Sequence, residues 1–181
     1  MIIRDLLEAQ STVGLIGHGK EPEVAPLEED HALQEAQLID VRFDAVTRRA
    51  ALLFDLRVAL QLREADTGVL VIREVEGLSW SAPRQLGDLI AWSVGSSVAR
   101  SLGGLFELSL SMWPHPGSDV VVRGAGAFFV SGDAVGIGQI PPDYTINDRE
   151  SVRGRIPGWD SEFAPHSATF RMWEEPSRGV S

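Results

Sequence analysis

Carboxylates crowd the stretch 143–166, where Asp143, Asp148, Glu150, Asp160 and Glu162 stand among Tyr144, Trp159 and His166. Two carboxylates held at a fixed separation can act as acid and base in hydrolysis, and several together offer hard oxygen ligands to calcium or magnesium. The candidate ligand or metal cluster is therefore Asp143, Asp148, Glu150, Asp160 and His166. Beside Asn147, Gly154 and Pro157, the same residue types are also what a short helix start and its flanking turns use. Both readings stand at this point.

Other chemistry finds less to work with. His18, His31, His115 and His166 fall in no H-x-H or H-E-x-x-H spacing, so no histidine metal site is expected. Residues 14–20 (GLIGHGK) end like a phosphate loop, but Glu21 stands where the loop needs a hydroxyl for magnesium, and acidic residues follow. A linker accounts for them better. With no cysteine, disulfides and thiol catalysis are excluded. No catalytic residue is assigned and no cofactor is expected.

Binding chemistry is easier to place. The chain carries a net charge of −10, and residues 1–40 hold nine acids against Arg4 and Lys20. That field repels phosphate backbones, so nucleic acid is not an expected partner. The densest basic grouping is Arg149, Arg153 and Arg155. Among five tryptophans, Trp113 falls on the opposite face of its strand from Phe106, Leu108, Leu110 and Met112, which makes it a candidate exposed anchor. Glu28, Glu29 and Asp30 join it as candidate partner contacts.

The elements that must position these residues are mostly strands. Period-two alternation marks 38–44, a long strand 52–62 and 106–112, with a β-branched strand at 69–75 and a bulge near Glu76-Gly77 that keeps one face inward. Residues 86–99 fit a helix or a strand, and Trp92 and Val94 favour the strand. Residues 119–123 and 127–131 read as two short strands around Gly124-Ala125-Gly126, or as one bulged strand, and 167–173 as the last. A short helix is expected at 2–10, and a second at 148–153 from the capping-box pair Asn147 and Glu150. Residues 19–31 are expected to be a mobile acidic loop and 174–181 a frayed tail. The fold class is α+β, mainly antiparallel β, a meander or sandwich-like sheet in a single domain over 1–181.

The stretch 40–80, DVRFDAVTRRAALLFDLRVAL leading into VLVIREVEGLSW, resembles the β-meander of small acidic bacterial immunity proteins of polymorphic toxin systems, and GLFELSLSMWP is compatible with their later strand. The resemblance implies a cytoplasmic protein that neutralises a toxin by binding it, and it carries over no catalytic residue. An acidic protein would meet a basic toxin by electrostatic complementarity. No start like a secretory signal and no apolar run of membrane-spanning length is visible, which also leads to a cytoplasmic expectation without membrane partners. Two alternatives remain: a small-ligand or metal-assisted hydrolytic domain at 143–166, and a structural subunit of an oligomer.

Overall fold

In a computed structural model, residues 1–8, 24–82, 91–113 and 117–172 are described. Seven strands and two short helices follow one another: α1 (Asp5–Glu8), β1 (Gln37–Asp44), β2 (Arg49–Asp55), β3 (Thr67–Ser81), β4 (Ser93–Leu102), β5 (Leu105–Trp113), β6 (Ser118–Ala134), α2 (Arg149–Arg153) and β7 (Phe163–Met172). The expected β-rich class with short helices is present, and β1, β2 and β3 form the expected antiparallel meander. Every pairing is antiparallel, and all seven strands share one sheet in the order β3-β2-β1-β4-β5-β6-β7. Because β3 also pairs with β6, the sheet returns to itself as a barrel-like ring; the pairing draws one sheet where a sandwich would have two. β6 holds the ring together, with β3 along one edge and first β5, then β7, along the other. The ring closes most thinly between β1 and β4, at the single pair Gln37 and Ser93.

Two cores result. Leu52, Phe54, Leu70, Ile72, Leu108, Leu110 and Val122 fill the interior of the ring. On the outside of β2, β3 and β6, Ala51, Leu53, Val69, Val71, Phe128 and Val130 pack under Ile3 and Leu6 of the N-terminal segment and under Trp159 and Phe163. Strands buried on both faces lose the alternation of a half-exposed strand, and β2 is buried from Ala50 to Asp55 without a break.

Several boundaries differ from the sequence expectation, each for a physical reason. The predicted strand 52–62 stops at Asp55. The Leu56 N–H still reaches the Asp66 carbonyl, but the chain then turns so that Leu56 and Ala59 enter the interior core. Their apolar alternation serves that packing, not a ladder. β6 is one strand of 17 residues, so the two short strands expected at 119–131 are continuous. β7 begins at Phe163, ahead of the expected 167. The second helix is present, but Asp148 caps it in place of Asn147, accepting from the Ser151 N–H. The bulge expected near Gly77 is present as a register shift between Val75 and Gly77. The strand reading of 86–99 holds from Ser93 onward, while 86–90 lie outside the described residues. The first helix is described only over Asp5–Glu8. Of the acidic loop at 19–31, residues 24–31 are described, and there Pro26 is buried and Leu27 packs into the interior core, so this part is docked. The glycine-lysine stretch 14–20, His18, His115 and the tail 174–181 lie outside the described residues.

Candidate functional site

Charge inside a strand end demands compensation, and the end of β2 supplies the most buried polar centre of the described residues. Asp55 has no exposed surface. The Arg57 side chain, 4% exposed, folds back on it: Nη2 lies 2.6 Å from Oδ2 and Nε 2.9 Å from Oδ1. The Tyr144 hydroxyl donates to the same Oδ2 at 2.6 Å. Arg57 also donates to the carbonyls of Ile137, Gly138, Ile140 and Arg155. Burial opposes the charged guanidinium, but the hydrogen bond and charge of Asp55 outweigh it and hold Arg57 above its ordinary value. Burial, reinforced by the Asp55 charge, pushes the Tyr144 hydroxyl far up, so it remains a donor. With this many partners the centre is a closed strut that ties the 137–155 region to the barrel.

Next to the strut lies an open cleft of about 650 Å³ lined by Arg57, Arg63, Glu64, Asp66, Asp133 and Gln139 among others. Pairing of Thr67 with Gly132 brings Asp66 and Asp133 to one end of β3 and β6. Asp66 accepts from the Thr67 hydroxyl and the Ala134 N–H, and the Asp66 N–H donates to Asp133. Burial raises the Asp66 carboxyl above its ordinary value in spite of those bonds. His166, on β7, sits with Nε2 3.3 Å from Asp133 and Nδ1 3.2 Å from the Glu64 carbonyl.

The residues of the predicted carboxylate cluster are placed apart. Asp143 accepts from the Thr145 hydroxyl and N–H and from the Ile146 N–H, which holds its carboxyl low. Asp148 is held low by the Ser151 N–H and hydroxyl at the start of α2. Glu150 is exposed on that helix, and Asp160 pairs with Arg4 at 2.9 Å. His166 joins Asp133, which sequence reasoning missed, and none of the other four. Among the described residues no group of three or more His, Asp or Glu side chains is gathered closely enough to hold a metal ion.

Trp113 is 61% exposed, on the outer face of β5 whose other face, Phe106, Leu108, Leu110 and Met112, is buried. Cross-strand partners share a face, so Ser96 and Asp119 flank Ser111 there, and Val98 and Val121 flank Ser109. The result is a small-side-chain sheet face ending in one large aromatic. Glu28 pairs with Arg171 at 3.4 Å, Glu29 accepts from the Ala25 N–H, and Asp30 is exposed. Arg171 stands opposite Ala127 of β6, whereas the Trp113 end of β5 stands beside Ser118. That offset is roughly 30 Å of strand, so the acidic group and the tryptophan belong to different parts of the surface.

No protein-family model, curated protein or solved structure matches the chain. No helix of the described residues is long and apolar enough to cross a membrane.

Proposed function

We propose that this chain is a non-enzymatic protein-binding domain of the bacterial cytoplasm, immunity or antitoxin-like, that neutralises a basic toxin. The observation that carries the reading is Trp113, a large aromatic exposed at the end of a strand whose opposite face is buried. A ring held in place by a buried opposite face loses little conformational freedom on binding, which is why such tryptophans serve as anchors. Ser96 and Ser111 leave the face beside it without steric bulk, the Ser111 hydroxyl donating to Asp119. The acidic charge acts over a longer range, so it can speed encounter with a basic partner without touching the anchor. The hydrolytic alternative at 143–166 has less to support it, because Asp143, Asp148 and Asp160 each make separate local contacts.

The test is titration calorimetry against the product of the neighbouring gene, co-expressed with this chain. Trp113→Ala is expected to weaken binding by about 30-fold, the effect of a typical hot spot. Glu28→Lys with Glu29→Lys and higher salt are expected to slow association. Binding indifferent to both substitutions would refute the reading.

A further inference from the structure

Around the bulge of β1, at the seam with β4, the surface carries a depression whose lining includes Leu38 of the interior core and Trp92 packed against that core. The β1–β2 register slips between Leu38 and Asp40, which leaves Ile39 without a cross-strand partner. Bulges of this kind re-aim a side chain and recur beside binding sites. Ile39 packs against the small cluster of Ala91, Tyr144 and Val152, together with Ile156. There it lines a depression of about 280 Å³ with Trp92, Val152 and Ile156, and α2 adds Arg149 and Arg153 at its rim. An adjoining depression of about 340 Å³ shares Ile39, Arg153 and Ile156 and extends to Pro157 and Trp159.

The two arginines are four residues apart on one helix, a spacing that puts both side chains on one face about 5–6 Å apart at Cβ. Both are exposed, and neither has an ion pair or hydrogen bond among the described residues. Of the carboxylates nearby, Asp40 and Asp148 are already occupied, and Glu150, exposed on the same helix three residues before Arg153, carries a charge that competes for the arginines. Asp40 accepts from the Val41 N–H and the Trp159 indole, and Asp148 from Ser151. Arg155, by contrast, is tied to the carbonyls of Ile140 and Pro141. In a chain of net charge −10, two unpaired guanidiniums over an apolar floor form a local positive rim. Guanidiniums match the planar or tetrahedral oxygens of one oxyanion, and an apolar floor takes the body attached to it.

We infer that the groove formed by Ile39, Trp92, Val152 and Ile156 under Arg149 and Arg153 binds a small organic oxyanion with an apolar body, of the carboxylate type. The groove shares no lining residue with the Trp113 face, although Trp92 is the neighbour of Ser93, the cross-strand partner of Trp113, and it is tested separately.

Calorimetry of the full chain with decanoate below its micelle concentration tests this, alongside inorganic phosphate and decyltrimethylammonium. Decanoate is expected to bind saturably, and both comparison compounds at least tenfold more weakly. Arg149→Gln with Arg153→Gln is expected to weaken decanoate at least tenfold, and Arg149→Lys with Arg153→Lys to weaken it less, because the charge is kept while the planar fork is lost. Both pairs alter exposed side chains, so unchanged thermal unfolding is expected and checks that each variant is folded. Phosphate binding as well as decanoate would remove the apolar floor from the account. Equal binding of the cationic amphiphile, or decanoate binding untouched by the glutamine pair, would overturn the proposal.

Discussion

Arg57 commits its guanidinium to one carboxylate and four backbone carbonyls, so removing it leaves those carbonyls without this donor and the buried Asp55 charge without its counter-ion. Breaking one side of a buried ion pair costs about 3–5 kcal/mol. Arg57→Met is therefore expected to lower unfolding stability in urea by that amount, and Tyr144→Phe by roughly 1.5–3 kcal/mol, the range for a hydrogen bond to a charged group. Asp55→Asn combined with Arg57→Met should cost less than the sum of the two, because the second change removes the partner the first left unpaired. Strict additivity would show that the strut is not a unit. Asp66 has the opposite relation to pH. Burial raises its carboxyl, so the folded state holds a proton that the unfolded state has released, and stability falls as pH rises from about 4, where the unfolded carboxyl titrates, through the folded value. Asp66→Asn, whose amide oxygen can still accept from Ala134, is expected to gain stability relative to the parent across that window in urea titrations at stepped pH. An unchanged difference would reject the assignment. Asp55 and Arg57 fall at the polar positions of the alternating run 52–62, which the pattern assigns to a wet face, so their burial and pairing were not legible in the sequence. Asp66 and Asp133 were not legible either, because only the pairing of β3 with β6 brings them together.

Strands with one wet face were legible nearly to the residue, whereas strands with two dry faces were placed but with the wrong bounds. β5 follows its period-two pattern because solvent meets every second side chain, whereas β1 alternates only between Ile39 and Arg42 and is exposed to its end, Phe43 included. β2 ends earlier than its pattern because Leu56 and Ala59 continue to pack after the ladder has stopped. The glycines of β6 misled in another way, since Gly124-Ala125-Gly126 looks like an interruption. A side chain at Gly124 would meet the Arg73 carbonyl and, at 2.6 Å, Ile72 Cγ2, so this glycine admits a close strand approach. Gly132 does the same for β7. A Cβ there would strike the Ala164 carbonyl and lie 2.8 Å from both the Phe163 ring and Pro165 Cα, beside the register shift at Ser131 and Gly132. Backbone cannot yield as a flexible side chain can, so Gly132→Ala is expected to cost about 1–3 kcal/mol and to speed amide exchange in β7 more than in β3. Gly103, where a side chain would meet nothing within 4 Å but φ is +57°, isolates the conformational cost alone. Its alanine variant is expected to lose only about 1–2 kcal/mol without a local effect on β7. Equal exchange in both variants would argue that the β6–β7 approach is looser than the geometry shows.

The molecule has two cores but one set of shared strands, and that decides how it unfolds. Leu52 and Phe54 of β2 face the interior of the ring, while Ala51 and Leu53 of the same strand face the outer core. β3 and β6 divide in the same way, with Leu70, Ile72 and Phe129 inside and Val69, Val71 and Phe128 outside. Neither core can lose its packing while the other keeps intact strands, so the described structure should unfold as a single cooperative unit. Leu53→Ala in the outer core and Leu108→Ala in the inner core are each expected to cost about 2–5 kcal/mol. Each should move one shared transition to lower urea. The tryptophans provide independent probes, because Trp159 is buried in the outer core whereas Trp92 packs against the inner one. In Trp159→Phe the remaining fluorescence should still change at the same urea concentration as the far-ultraviolet circular dichroism. Two midpoints, with Leu53→Ala shifting only one, would show that the cover over β2, β3 and β6 is a separable layer. Coincident midpoints would make the N-terminal segment, through Ile3 and Leu6, an integral part of the barrel.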